Sequence, residues 1–150
     1  MSSQVCVDAS LVLKLVLAEA DSQSAHDLWH TWIDSDTEVF APEHLAFEAT
    51  SVLRNHVYRG LISPAAGRLA FDALRAQPIA LVSSRILNER TWELAEQFNR
   101  PTAYDVYYVA LAEALNCDLW TADRRLVTAV HQTLPWVHWL GETRSAQPGA

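Results

Sequence analysis

The feature that most constrains the fold is a regular alternation between short apolar segments of strand type and longer segments of helical periodicity. Segments with the length and residue types of strands recur along the chain, and helical periodicity fills the intervals between them. The predicted strands are Gln4–Asp8, Glu38–Ala41, Pro78–Ser83, Asp118–Thr121 and Trp136–Leu140. This alternation predicts a three-layer α/β/α sandwich around a mainly parallel sheet of about five strands.

The predicted helices occupy the intervals and carry recognisable start and stop signals. They are Ser10–Ala18, Asp21–Asp36, a helix beginning near Pro42 and ending at Gly60, Ser63–Gln77, Ile86–Asn99, Thr102–Asn116 and Asp123–Gln132. Pro42 is expected in the first turn of its helix, where proline is favoured. The helix from Thr102 is apolar nearly all round and is expected to be buried.

Length and composition are those of one ordinary globular domain. The chain has 150 residues, of which 50% are hydrophobic and 19% charged, and it shows no linker or internal repeat. We therefore expect residues 1–150 to form a single domain, with a flexible polar tail over about 141–150. No apolar run is long enough to cross a bilayer, the N-terminus lacks a secretory signal, and Cys6 and Cys117 lie in apolar stretches as expected of reduced thiols. A cytoplasmic protein is expected.

The net charge of −7 argues against a generic nucleic-acid binder, which would carry a basic surface. The charge is unevenly distributed, because seven Arg lie between Arg54 and Arg100 while the whole chain contains a single Lys. Arginine suits bidentate contacts to phosphate. Ion pairs on solvated helix faces remain the alternative explanation for most of these residues.

Two carboxylates follow predicted strands. Asp8 ends the first strand in V-C-V-D-A-S, and Asp123 follows the fourth in L-W-T-A-D-R-R-L. Ligands of open α/β sheets bind beyond the carboxyl ends of strands where the strand order reverses, so both acids are expected at that edge. The alternative is that each side chain caps the following helix, with Ser10 and Thr121 as rival caps.

Two further carboxylates lie on helices. Glu48 is in mid-helix, with Asn55 and Arg59 on its face and Ser51 near the edge; this polar stripe could be the solvent side, although small and apolar neighbours favour a cleft. Asp105 could complete a capping box with Thr102. The apolar helix that it heads makes burial more plausible, and a buried charge needs a partner or a metal.

Each acid taken alone is ambiguous, but two strand ends and two helix positions can converge on one edge of the sheet. Four neighbouring carboxylates repel one another, and a divalent cation removes that repulsion. Oxygen-only ligation selects Mg²⁺ or Mn²⁺ over zinc. Asp8, Glu48, Asp105 and Asp123 are therefore predicted to hold a cation that activates water for attack on a phosphodiester.

At this point the chain resembles PIN-domain nucleases, in particular the VapC-type toxins of bacterial toxin–antitoxin pairs. The resemblance runs from Val5 to about Leu140. Asp8 with Ser10 looks like the first motif of the family, and Glu48 like its helical glutamate. Asp105 in Y-D-V-Y-Y-V-A-L-A looks like the third acid, and T-A-D-R-R-L supplies Asp123 with Thr121 as a supporting hydroxyl.

The resemblance implies a Mg²⁺- or Mn²⁺-dependent endoribonuclease that forms homodimers and is inhibited by a cognate antitoxin. Many family members carry Asn where this chain has Ser51, which puts in question the supporting geometry around Glu48. Arg59 is the candidate for a phosphate contact. The other functions left open are a non-catalytic RNA- or protein-binding module of the same fold, and a DNA nuclease or phosphatase using the same cluster.

Two other patterns are interpreted as structural. His26 and His30 mimic the paired histidines of a zinc-protease helix, but the usual Glu is Asp27 and no third ligand is evident, so surface histidines are expected. Aromatic residues could stack on nucleic-acid bases. Five of the six Trp residues, which lie on predicted strands or apolar helix faces, are instead expected in the core. They are Trp29, Trp32, Trp92, Trp120 and Trp139.

Overall fold

A parallel five-stranded sheet forms the centre of the computed structural model, which describes residues 3–145. Its strands are β1 (Gln4–Val7), β2 (Glu38–Pro42), β3 (Ile79–Val82), β4 (Asp118–Thr121) and β5 (Val137–Trp139). They lie in the order β3-β2-β1-β4-β5, and all four pairings are parallel. This arrangement confirms the predicted α/β class.

Helices connect the strands. They are α1 (Ala9–Val16), α2 (Ser22–Asp34), α3 (His44–Tyr58), α4 (Pro64–Ala76), α5 (Asn88–Gln97), α6 (Val106–Leu115), α7 (Arg124–Val130) and α8 (Gly141–Ser145), with a 3-10 turn at Ser84–Leu87. Helix α3 ends just before Gly60, whose φ of 72° suits glycine, as the sequence predicted. Within residues 3–145, no helix is long and apolar enough to span a membrane.

The strand order fixes the place of a ligand site. The chain leaves β1 towards β2 and β3, then returns across the sheet to β4 and β5 on the other side of β1. Right-handed crossovers place α1–α4 on one face and α5–α7 on the other. The packing of α1 against α2, α3 and α4, and of α6 against α5, agrees with this. The strand order reverses between β1 and β4, so their carboxyl ends flank the expected site.

The core is formed by β1, β4 and the helices on both faces. Val7, Leu11 and Leu119 are fully buried, and α6 buries Val109 and Ala110 as its apolar sequence predicted. Trp29 and Trp32 are buried, as expected, but Trp92 is 72% exposed, so its prediction as a core residue was wrong. The sulfur of Cys6 lies 3.6 Å from that of Cys117, which is only partly buried.

Three local predictions were wrong. Pro42 is the last residue of β2 and not part of helix α3, because the N–H of Glu43 continues the bonding to β3 by donating to the Val82 carbonyl. Helix α6 begins at Val106, since Thr102 and Asp105 form no capping box. Residues 141–145, expected to be frayed, form α8; the rest of that predicted tail lies outside the described residues.

Candidate active site

Asp8 is the most deeply buried acid of the predicted site. It follows β1 directly, and its residue is only 5% exposed. Oδ1 accepts hydrogen bonds from the Ser10 hydroxyl at 2.7 Å and from the Leu11 backbone N–H at 3.0 Å, while Oδ2 accepts from the Thr121 hydroxyl. The carboxylate therefore caps α1, as the structural alternative required, and also faces β4.

Burial controls the protonation of Asp8. Desolvation raises the pKa of Asp8 to about 6, although hydrogen bonds from Thr121, Ser10 and Leu11 favour the charged form. The negative charge of Asp123 raises the pKa further. A carboxylate whose ionisation is opposed by burial and by a second acid is well suited to bind a cation.

Two hydroxyl groups join the first and fourth acidic segments. Ser10 Oγ accepts from the Ala122 backbone N–H at 3.0 Å, and Thr121 Oγ1 accepts from the Asp123 backbone N–H at 2.9 Å. Both hydroxyls donate to Asp8. The roles predicted for Ser10 and Thr121 as supporting hydroxyls therefore correspond to direct contacts with the Asp8 carboxylate.

Asp123 begins α7. Its Oδ1 accepts from the backbone N–H groups of Arg125 and Leu126 at 3.0 and 3.4 Å, so Asp123 and not Thr121 is the helix cap. These bonds engage one carboxylate oxygen and hold the side chain at the switch point beside Asp8. Capping and ligation are compatible here, because Oδ2 has no hydrogen bond within the described part of the chain.

Glu48 lies one turn into α3 and contacts Tyr108 and His44. Tyr108 donates its hydroxyl to Oε1 at 3.2 Å, and His44 Nε2 lies 3.0 Å from the same oxygen. The pKa of the buried Tyr108 is raised by desolvation, and then by the charges of Glu48 and Asp8, which places both carboxylates close to this phenol. Phe47, one of the apolar sequence neighbours of Glu48, is 72% exposed.

Asp105 is engaged by an arginine. Arg100 Nη2 donates to Oδ2 at 2.8 Å, and both side chains are largely buried, with 20% and 24% exposure. Oδ1 of Asp105 and Nε of Arg100 are buried without a hydrogen-bond partner among the described residues. The ion pair with Arg100 therefore leaves one oxygen of the Asp105 carboxylate without a donor among the described residues.

The donor set fits a hard divalent cation, although the acids are not arranged as ligands. No group of three or more His, Cys, Asp or Glu in residues 3–145 has a metal-holding arrangement. Each acid is instead held by its own protein donors. The buried, unpartnered Oδ1 of Asp105 and the raised pKa of Asp8 are nevertheless what a cation would correct. The shared metal site remains a prediction.

Two predicted residues lie away from these contacts. Ser51 is exposed on α3, one turn after Glu48, and forms no side-chain hydrogen bond with the described residues. Arg59 caps the far end of α3, eleven residues after Glu48 and so roughly 16 Å along the helix axis. Neither role is tested by the geometry. His26 and His30 are exposed, as expected.

Three residues of the site were missed by sequence reasoning: His44, Arg100 and Tyr108. His44 precedes Glu48 by four residues, a helical spacing that could have indicated contact. Tyr108 follows Asp105 by three residues on a helix expected to be buried, where its hydroxyl needs a partner. Arg100 is considered in the sequence only as one of the seven clustered Arg, and the sequence carries no signal for its ion pair with Asp105.

Comparisons with a family model and with known proteins point to one family. The family model described as "PIN domain" matches residues 5–130. VapC ribonuclease Mb0985 of Mycobacterium bovis is 34% identical over 122 residues, which cover 81% of this chain and 87% of that protein. Ribonuclease VapC1 of Mycobacterium tuberculosis is 39% identical over 94 residues, which cover 59% of this chain and 65% of that protein.

Solved structures show the same fold. The crystal structure of PAE2754 from Pyrobaculum aerophilum has a TM-score of 0.67 at 22% identity and covers 98% of this chain and 100% of its own. The crystal structure of Mycobacterium tuberculosis VapC20, a sarcin-ricin loop cleaving toxin, has a TM-score of 0.59 at 17% identity. It covers 79% of this chain and 87% of its own. The resemblance inferred from the motifs is thus confirmed: this chain belongs to the PIN-domain family, as a relative of the VapC ribonucleases.

Proposed function

We propose that the protein is an endoribonuclease that hydrolyses RNA phosphodiesters at the acid cluster and acts as the toxin of a toxin–antitoxin pair. The observation that carries this proposal is the buried Asp8 carboxylate at the switch point of the sheet, with a pKa of about 6 and with Asp123 beside it. The names of the relatives indicate the substrate class, and this chain spans 87% of VapC ribonuclease Mb0985.

The residues of the chain have distinct tasks in this reaction. Ser10 and Thr121 fix the orientation of Asp8, and Tyr108 with His44 occupies Oε1 of Glu48. Oε2 of Glu48 has no hydrogen bond with the described residues. Asp8, Glu48, Asp105 and Asp123 would hold the cation.

Mg²⁺ or Mn²⁺ bound there would supply an activated water and offset charge on the phosphodiester. Oxygen ligands favour these ions. The chain's own contribution is to hold acidic oxygens in place and to keep one face of Asp8 away from bulk water, which strengthens its interaction with a cation.

Arg59 is proposed to contact a phosphate distant from the bond that is cleaved. It is exposed at the end of α3, and no ion pair with the described residues occupies it. Arg59→Ala should weaken RNA binding and reduce its salt dependence. Arg68→Ala, which removes a guanidinium already paired with Asp72 at 3.2 Å, is the matched control and should change binding less.

The proposal includes two further parts. The protein forms a homodimer, and a small antitoxin inhibits it in the cytoplasm. Large apolar side chains are exposed on the described surface, with Ile86 at 75%, Trp92 at 72% and Tyr104 at 65%, and protein partners commonly cover such groups. Light scattering coupled to size-exclusion chromatography tests this: a monomer at all concentrations would remove the dimer from the proposal.

The deciding experiment compares substrates and metals. Wild type, Asp8→Asn and the control Asp34→Asn are incubated with structured RNA, with DNA of the same sequence and with a phosphomonoester, in Mn²⁺ and in EDTA. Asp34 is an exposed acid at the end of α2. We expect wild type and Asp34→Asn to cleave RNA in Mn²⁺ but not in EDTA, and Asp8→Asn to cleave it in neither.

Other outcomes favour the alternatives. RNA binding without cleavage in any metal would indicate a binding module. Cleavage of DNA or of the phosphomonoester, with RNA left intact, would indicate a different phosphoesterase. RNA cleavage that persists in EDTA would exclude the cation from the mechanism.

A further inference from the structure

His44 connects two segments of the candidate site. It is the first residue of α3, and its side chain is only 14% exposed. Its Nε2 lies 3.0 Å from Glu48 Oε1 and 3.1 Å from the backbone oxygen of Tyr104, the residue before Asp105. One ring nitrogen therefore contacts both the helix of the second acid and the turn of the third.

The partners of the ring assign its tautomer. Both groups facing Nε2 are acceptors, so Nε2 must carry a hydrogen; Nε2–H is hydrogen-bonded to the Tyr104 oxygen, and Glu48 Oε1 lies within ion-pair distance of the same nitrogen. On the other side, Ser84 Oγ lies 2.8 Å from Nδ1 and accepts from the His44 backbone N–H at 3.4 Å. Because Oγ accepts there, its own hydrogen is free to be donated to Nδ1. A ring with its hydrogen on Nε2 thus satisfies every contact.

Aromatic packing holds the ring in this orientation. The ring of Tyr107 packs edge-on at a centroid distance of 5.1 Å, and that of Tyr108 is tilted at 4.9 Å. Tyr108 also donates to Glu48 Oε1, so both side chains that contact this carboxylate oxygen belong to one packed cluster. The ring cannot turn without breaking contacts to both tyrosines and to Ser84.

We propose that His44 is a positioning residue for RNA cleavage, which holds Glu48 and the Tyr104–Asp105 segment at a fixed separation. This inference rests on the proposed function. Two carboxylates supplied by different segments repel each other and would otherwise move apart. The Nε2–H group, hydrogen-bonded to the Tyr104 oxygen and 3.0 Å from Glu48 Oε1, attracts the carboxylate and opposes this separation, so a cation meets Glu48 and Asp105 already close to their binding positions.

The test compares His44→Leu, which removes the ring's hydrogen bonds, with His44→Gln, which keeps an N–H donor. The matched control is His56→Leu on the same helix, because within residues 3–145 the His56 side chain bonds only to the Val52 carbonyl, at 2.9 Å. Circular dichroism establishes folding, electron paramagnetic resonance measures Mn²⁺ binding, and kcat and KM are measured on one RNA.

We expect His44→Leu to weaken Mn²⁺ binding and to lower kcat by about tenfold or more, as loss of an orienting group does at metal sites, with little change in KM. His44→Gln should recover most of both, and His56→Leu should match wild type. If His44→Leu does not fold, Ser84→Ala takes its place: it frees Nδ1 and should give a smaller loss of the same kind.

Two results would overturn this inference while leaving the proposed function intact. One is a folded His44→Leu that binds Mn²⁺ and cleaves RNA within about twofold of wild type. The other is an equal loss in His44→Leu and His56→Leu, which would indicate only a general weakening of α3. A wild type that neither binds Mn²⁺ nor cleaves RNA would overturn the proposed function and this inference together.

Discussion

Thr121 donates its hydroxyl hydrogen to the Asp8 carboxylate across the carboxyl ends of β1 and β4. The two residues continue the parallel register that pairs Val7 with Trp120. The same Thr121 oxygen accepts from the Asp123 backbone N–H at 2.9 Å. One fully buried hydroxyl therefore aligns the first and fourth acids of the candidate site.

Replacing this hydroxyl should destabilise the protein in a pH-dependent way. Thr121→Val leaves a buried carboxylate with one donor fewer, and we expect a loss of about 1.5–3 kcal/mol in the free energy of unfolding. The bond favours charged Asp8, whose pKa is about 6, so the loss should be largest above that pH and should shrink as pH falls through it. Urea denaturation at pH 5 and pH 8 measures this, with Thr121→Ser as the control that retains the hydroxyl.

Asp8→Asn should stabilise the metal-free protein at neutral pH. The folded-state pKa of Asp8 is raised from 3.8 to about 6, so between these values the folded protein binds more protons than the unfolded chain, and stability falls as pH rises. The full shift corresponds to at most about 3 kcal/mol, reduced by the imperfect hydrogen bonding of an amide. Unfolding curves in EDTA should show the gain at pH 8 and little of it at pH 4. An Asp8→Asn variant less stable than wild type at pH 8 would contradict the predicted direction of the effect.

Mn²⁺ should raise the melting temperature more at pH 7.5 than at pH 5. The cation requires ionised Asp8, whose pKa is about 6, so protons compete with the metal below that value. Binding to the folded state alone stabilises it by mass action. Thermal scans at a fixed Mn²⁺ concentration measure the difference. Equal shifts at both pH values would show that Asp8 does not contribute to binding.

Arg100→Gln should destabilise the metal-free protein and make it more dependent on Mn²⁺. The substitution removes the partner of Asp105 Oδ2 and leaves a largely buried carboxylate unpaired, at a cost of about 1–3 kcal/mol. A cation can compensate that charge, so added Mn²⁺ should restore part of the lost stability.

Arg90→Gln provides the control for Arg100. Arg90 pairs with Glu93 and Glu113 on the surface, away from the predicted acids, so Mn²⁺ should not compensate its loss. If Mn²⁺ stabilises Arg100→Gln and Arg90→Gln equally, relative to wild type, the recovery does not arise at Asp105.

Sequence reasoning reached the fold and the placement of Asp8 and Asp123 because both depend on local signals. An apolar strand that ends in a carboxylate is readable from V-C-V-D, and parallel topology then fixes where that carboxylate lies. The prediction of supporting hydroxyls at Ser10 and Thr121 also agrees with the contacts, since both residues adjoin strand ends.

The remaining parts depend on long-range contacts that periodicity does not encode. The Arg100 side chain engages Asp105, and helix α6 begins only after that acid, so the T-x-x-D pattern misled the helix boundary. Glu48 is oriented by Tyr108, which is sixty residues away in the chain. Trp92 was misplaced because an apolar side chain at helical spacing does not by itself establish burial.

The most direct test of the central claim is Mn²⁺ binding to wild type and to four single variants. Asp8→Asn, Glu48→Gln, Asp105→Asn and Asp123→Asn each remove one charge with little change in volume, and Asp34→Asn is the control. Electron paramagnetic resonance of the free ion measures the dissociation constants. If the four acids form one site, wild type and Asp34→Asn bind Mn²⁺ and each of the four variants binds at least about tenfold more weakly. Binding that is unchanged in any of the four would remove that acid from the site, and equal affinity in all six proteins would contradict the carboxylate-metal mechanism.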